Sequence, residues 1–152
     1  MQGGYMFFTF SHLVEERKNP MKYFFHKEDA EAVQIKGEAP RTLYTCIEPN
    51  TVETKRFAMG LEEIDPHSEI PLHSHDEAEE IIFVYGGQGQ GFVGNEVAEL
   101  KPGTVIFIPP TVEHRFANTG DEPLWITWTF SPPGFEKRIR KVADGSAGME
   151  IL

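Results

Sequence analysis

An all-β fold is the expectation for this chain, and three observations carry it. Short apolar segments alternate in two-residue steps from residue 41 onward. They recur at the roughly 8–12-residue spacing of sandwiches and small barrels, and clusters of Gly and Pro separate them. With 152 residues and 39% apolar composition, the chain suits one compact domain with its own core.

Residues 1–40 form an N-terminal extension in this reading, residues 41–132 the barrel, and residues 133–152 a C-terminal helix and tail. The extension is rich in aromatics (Tyr5, Phe7, Phe8, Phe10, Tyr23, Phe24, Phe25), too much apolar area to leave in water. It is therefore expected to pack on the barrel or on a partner subunit, and a homodimer is expected. Met21 reads as an alternative start, which would make residues 1–20 an extension of the native product.

Within the barrel, residues 55–64 alternate, placing Phe57, Met59 and Leu61 on one face and Arg56 and Glu62 on the other. Residues 80–85 form an apolar run ending at Gly86-Gly87. Gly94-Asn95 marks a tight hairpin between residues 91–93 and 96–100. Lys101-Pro102-Gly103 is a turn, residues 104–108 a β-branched strand, and Pro109-Pro110 ends it. Two strands complete the set at 114–118 and 124–130, the latter alternating Leu124, Ile126, Trp128 and Phe130 against Trp125, Thr127 and Thr129. Residues 134–142 follow Pro132-Pro133 and read as one short helix, with Phe135 and Ile139 four apart and a basic outer face.

Fourteen Lys and Arg against 24 Asp and Glu give a formal charge of −10, which leaves no basic excess to meet phosphates. Nucleic acid and anionic membrane surfaces are thereby excluded as expected partners. No apolar run approaches the ~20 residues that span a bilayer, and the N-terminus lacks the charge and cleavage site of a signal peptide. The single Cys46 excludes an intrachain disulfide and lies in an apolar stretch, where a buried, inert thiol is expected. A cytoplasmic location is the expectation.

The chemistry concentrates in "PLHSHDEAEEIIFVYGG", residues 71–87. His73 and His75 share a strand face, and Glu79 has the same parity if the strand stays regular through the acidic stretch. Glu77 and Glu80 compete as acidic ligand on composition alone. Glu80 has the opposite parity and is expected to face out, whereas Glu77 follows His75 by only two residues. A further imidazole, His114, begins a strand after a proline-closed loop. Imidazoles with one carboxylate suit divalent transition metals (Mn, Fe, Co, Ni, Cu or Zn).

These residues resemble the two motifs of the cupin superfamily. The first, G-x5-H-x-H-x3-E-x6-G, is met by His73, His75, Glu79 and Gly86, with His67 in place of its leading glycine. The second, G-x5-P-x-G-x2-H-x3-N, is met by Gly103, Pro109, His114 and Asn118, with Thr111 replacing the middle glycine. A residue at Thr111 must avoid positive φ or accept strain. The resemblance implies a jelly-roll β-barrel holding a metal on His73, His75, Glu79 and His114. It also implies a metal-dependent enzyme on a small oxygenated, carboxylate or enolisable substrate, with dioxygenase chemistry ahead of decarboxylase, lyase or isomerase chemistry. Tyr44 and His67 are the candidate catalytic residues. The alternative is a barrel that binds or senses a small ligand without turnover.

Overall fold

The computed structural model describes residues 22–146, so the reading of residues 1–20 falls outside the described part. A single 3-10 turn at Lys27–Asp29 leads into ten strands. These are β1 (Glu31–Ile35), β2 (Arg41–Ile47), β3 (Ala58–Ile64), β4 (Glu69–His73), β5 (Glu79–Gly86), β6 (Gly89–Val93), β7 (Glu96–Leu100), β8 (Val105–Ile108), β9 (His114–Asn118) and β10 (Leu124–Ser131). One helix, α1 (Phe135–Ala143), follows. A six-stranded sheet runs β1-β2-β3-β10-β5-β8 and a four-stranded sheet β4-β9-β6-β7. Every pairing is antiparallel. The all-β reading with a short terminal helix holds. No helix among the described residues is long and apolar enough to cross a membrane.

The inward face of β10 carries Leu124, Ile126, Trp128 and Phe130, all buried, as the alternation predicts. One core cluster joins Leu124 and Ile126 to Ile64, Ile82, Val84, Leu100 and Phe116. A second joins Trp128 and Phe130 to Leu43, Phe135 and Ile139, so α1 closes the barrel at that end. Gly60 makes this packing possible, because a Cβ there would run into the Trp128 ring and the Tyr44 carbonyl. Gly94, at φ 57, supplies the left-handed turn of the β6–β7 hairpin.

Strand β3 departs from its apparent apolar pattern. Its buried row is Ala58, Gly60, Glu62 and Ile64, whereas Met59 and Leu61 are half-buried on the outer face and Phe57 is exposed. Glu62 faces inward because Arg41 of β2 meets it there, Nε to Oε1 3.0 Å, with both side chains almost fully buried. Thus a charged pair occupies core positions that the sequence pattern gave no reason to suspect. Helix α1 is fastened by Arg140, which bonds Glu31 at the start of β1 and Glu48 just beyond β2.

Candidate metal centre

His73 ends β4 and lies opposite His114, the first residue of β9. His75 is two residues beyond β4, where the chain has left the strand. It is held by the β8–β9 loop, because the Thr111 N–H donates to the His75 carbonyl at 2.7 Å. Thr111 adopts φ 67, so the residue that replaces the motif glycine accepts the strain. For an L-residue that conformation costs roughly 1–2 kcal/mol, and the bond it makes fixes two loops against each other. These constraints bring His73, His75 and His114 together, with one ligand atom of each within 4.8 Å of the others.

The ring nitrogens are ordered by the backbone. His73 Nδ1 lies 2.8 Å from the Pro71 carbonyl and His114 Nδ1 lies 2.9 Å from the Val112 carbonyl. A carbonyl can only accept, so both Nδ1 atoms carry a proton, and Nε2 is the ring atom each leaves free to face a ligand. His114 Nε2 is buried without a hydrogen-bond partner among the described residues. Burial, with the neighbouring His114, pushes the His73 imidazole down to about 4, which keeps it neutral and available as a ligand.

The carboxylate beside these rings is Glu80. Its Oε2 lies 3.1 Å from His75 Nε2 and 3.3 Å from His114 Nε2. Burial alone would raise its pKa, but the contacts with His114 and His75 outweigh it and hold the group below the usual carboxylate range. Glu79, expected inward from its parity with the histidines, is exposed, and so is Glu77, whereas Glu80 is 4% exposed. The correction has a local cause. Residues 74–78 are not strand, so the two-residue alternation is interrupted between His75 and β5. Strand β5 then sets its own pleat, with Ile82 and Val84 buried and Glu80 in their row. On its glycine side alone the motif spacing was degenerate, since Glu80 stands seven residues before Gly87 just as Glu79 does before Gly86.

Neither candidate catalytic residue joins the cluster. His67 is exposed at φ 57 and pairs with Asp121 at 2.9 Å. The Tyr44 hydroxyl bonds Glu63 on the outer face of the sheet, at 3.3 Å, and burial together with the Glu63 charge raises its pKa. Asn118 instead secures the fold: its amide donates to the carbonyls of Ile64, Asp65 and Glu122. Cys46 is buried as expected, with burial raising its pKa.

A small cavity of about 30 Å³ adjoins the cluster, walled by His73, Glu80, Arg41, Glu62, Trp128 and Phe135, among others. On the other side of the Phe135 ring is a crevice of about 180 Å³ that reaches His75 and Arg138. The Phe135 ring centroid is 4.0 Å from that of His75. Helix α1 therefore roofs the histidines. Arg41 and Glu62 were missed in the sequence because nothing in their spacing sets them apart from outward-facing strand charges.

A family model described as Cupin domain matches residues 60–130, the span that contains all three histidines and Glu80. The chain belongs to the cupin superfamily. This cupin is 32% identical over 87 residues to an uncharacterized protein, MJ1618, of Methanocaldococcus jannaschii, covering 57% of the chain and 70% of the relative. It is 29% identical over 104 residues to the polyketide synthase CurC of Streptomyces cyaneus, covering 68% of each. Among solved structures it resembles a predicted oxalate decarboxylase from Thermotoga maritima, with a TM-score of 0.66 and 17% identity over 73% of this chain and 100% of that one. That last likeness shows the fold. A three-histidine cluster in a cupin barrel is compatible with a divalent metal ion, and the two Nε2 atoms that the backbone carbonyls leave free fit one.

Proposed function

We propose that this cupin is a metal-dependent enzyme acting on a small carboxylate or enolisable substrate, with His73, His75, Glu80 and His114 as the metal ligands. The observation that carries the reading is the convergence of His75 Nε2 and His114 Nε2 on Glu80 Oε2, at 3.1 and 3.3 Å, in a buried site beside His73. A divalent cation at that point would meet imidazole nitrogens and a carboxylate together, the donor types that suit it. A divalent ion on this set would supply a Lewis acid able to stabilise negative charge on a substrate oxygen. The protein's own contribution is to hold the His73 and His114 imidazoles with Nδ1 on backbone carbonyls, keep Glu80 ionised and cover the site with Phe135. Dioxygenase chemistry is favoured over decarboxylase, lyase or isomerase chemistry. The test is oxygen consumption by protein loaded with Fe, Mn, Ni or Cu, run with candidate carboxylic acids and diketones. Turnover without oxygen uptake would move the assignment to the other three classes.

The small size of the cavity supports a second reading, a barrel that holds a metal and a small ligand without turnover. Binding of such acids with no product formed by any metal-loaded form would favour it.

A cytoplasmic homodimer completes the proposal. The outer faces of β5 and β8 expose Ile81, Phe83, Tyr85, Val105 and Phe107, with Ile81 opposite Phe107 and Phe83 opposite Val105. This uncharged patch on a chain of net charge −10 is the face a second copy would cover. A free, buried Cys46 suits a reducing compartment.

A further inference from the structure

Arg41 and Glu62 stand in the wall of the cavity that also reaches His73 and Glu80. A guanidinium 3% exposed is rare unless it is fully paired. This one is incompletely paired. Its Nη1 donates to the Ala39 carbonyl at 3.0 Å. Its Nε lies 3.0 Å from Glu62 Oε1, yet without the alignment of a hydrogen bond, and both atoms are buried with no such partner. Burial pushes Glu62 up to about 7 despite the pull of Arg41, and the Glu80 charge adds to the rise. By geometry alone, the Arg41 guanidinium keeps an N–H donor that Glu62 does not engage in an aligned hydrogen bond. Trp128, in the same wall, has a buried indole N–H that also lacks a partner among the described residues. Two buried N–H donors without a hydrogen-bond partner among the described residues thus line the cavity beside the proposed ligands.

Arg41 also borders a large open groove of about 1080 Å³ shared with Ser68, Asn118, Val142 and Ala143. The residue therefore stands between the groove and the small cavity. The cavity, at about 30 Å³, is near the volume of one water. Anything larger enters only if its roof, Phe135 and Ile139 of α1, gives way.

We propose that Arg41 is the specificity-determining residue of the site, binding a second anionic oxygen group of a substrate whose first group reaches the metal. The inference rests on the metal-site reading above. It selects a class of substrate: small dianions such as dicarboxylates, ahead of monoanions of similar size. A planar guanidinium meets a carboxylate with two parallel N–H donors, which Glu62 in its present alignment does not use. Glu62 holds Arg41 in the cavity while no substrate is there.

The test uses full-length protein loaded with Co2+, whose visible spectrum reports ligands entering the metal's coordination sphere. Malonate and acetate are the probes. The variants are Arg41→Met, and Arg41→Met with Glu62→Met, which removes both buried charges and keeps the core apolar. The wild type is expected to bind malonate more tightly than acetate. In the double variant malonate affinity is expected to fall tenfold or more, with acetate affinity and Co2+ content within about twofold of wild type. Unchanged malonate affinity overturns the inference. So does an equal loss for both probes, which would mean that Arg41 supports the site rather than the second anion. Wild-type protein that takes up no Co2+ overturns instead the metal reading beneath it.

Discussion

His114 and Glu80 face each other across the barrel interior, Nε2 to Oε2 3.3 Å, while the Nδ1–H of His114 is committed to the Val112 carbonyl. In a site with 0% exposure for the imidazole and 4% for the carboxylate, water cannot screen that contact. A metal ion between the two groups would be held by both, and the first prediction below follows from placing it there.

Replacing His75 with Ala is expected to weaken metal binding by more than the roughly 10–100-fold that loss of an outer-shell partner costs. The barrel should remain folded, because its main cluster of Ile64, Ile82, Val84, Leu100 and Phe116 does not involve the imidazole. Elemental analysis and far-UV circular dichroism read the two effects separately. Stoichiometric metal in that variant would remove His75 from the ligand set.

Phe135→Ala takes away the ring that covers His75 and packs on Phe130 at 4.7 Å. Burial of this size predicts a loss of about 3 kcal/mol, read as a lower Tm. Metal loss to a chelator should become faster, since the variant joins the outer crevice to the inner cavity. An unchanged rate would show that Phe135 does not control access.

Glu62 gives the metal-free protein a pH signature. Its native pKa of about 7 lies above the 4.5 of the exposed group, so between these values the folded state holds a proton that the unfolded state has released. Stability from this group is therefore greatest at low pH and falls as pH rises through that window, by on the order of 3 kcal/mol at most. Glu62→Gln stays neutral throughout. Relative to wild type it should gain stability between pH 5 and pH 8, as measured by urea unfolding. Parallel pH profiles would contradict the raised pKa.

The exposed face of β5 and β8 predicts how the chain assembles. Phe83→Glu combined with Phe107→Glu puts like charges into the apolar patch and should give a monomer by light scattering at micromolar concentration, with the wild type a dimer. A wild-type monomer would remove the proposal.

Much of the fold is legible in the sequence, and the parts that are not share one cause. Turns at Gly94 and Gly103 and the alternation of β10 are written in residue types that permit few alternatives. The three histidines were legible because their spacing is unusual and each ends up buried or half-buried at a strand end or loop. The buried carboxylate beside them was not, because Ile81, Ile82, Phe83, Val84 and Tyr85 are apolar on both faces of β5 and give no indication of which face is inside. The same ambiguity hid Glu62, since Met59 and Leu61 made the outer face of β3 look like the core side. Patterning fails where the interior is polar for the sake of chemistry and the exterior apolar, as an assembly surface would be.

The most direct test of the central claim compares the metal content of Glu77→Gln, Glu79→Gln and Glu80→Gln with wild type, each purified, loaded with one divalent ion and desalted. A metal site built on His73, His75, His114 and Glu80 predicts stoichiometric metal in the wild type and in the Glu77 and Glu79 variants, and a large loss in Glu80→Gln alone. Full retention by Glu80→Gln, or loss in Glu79→Gln instead, would contradict it.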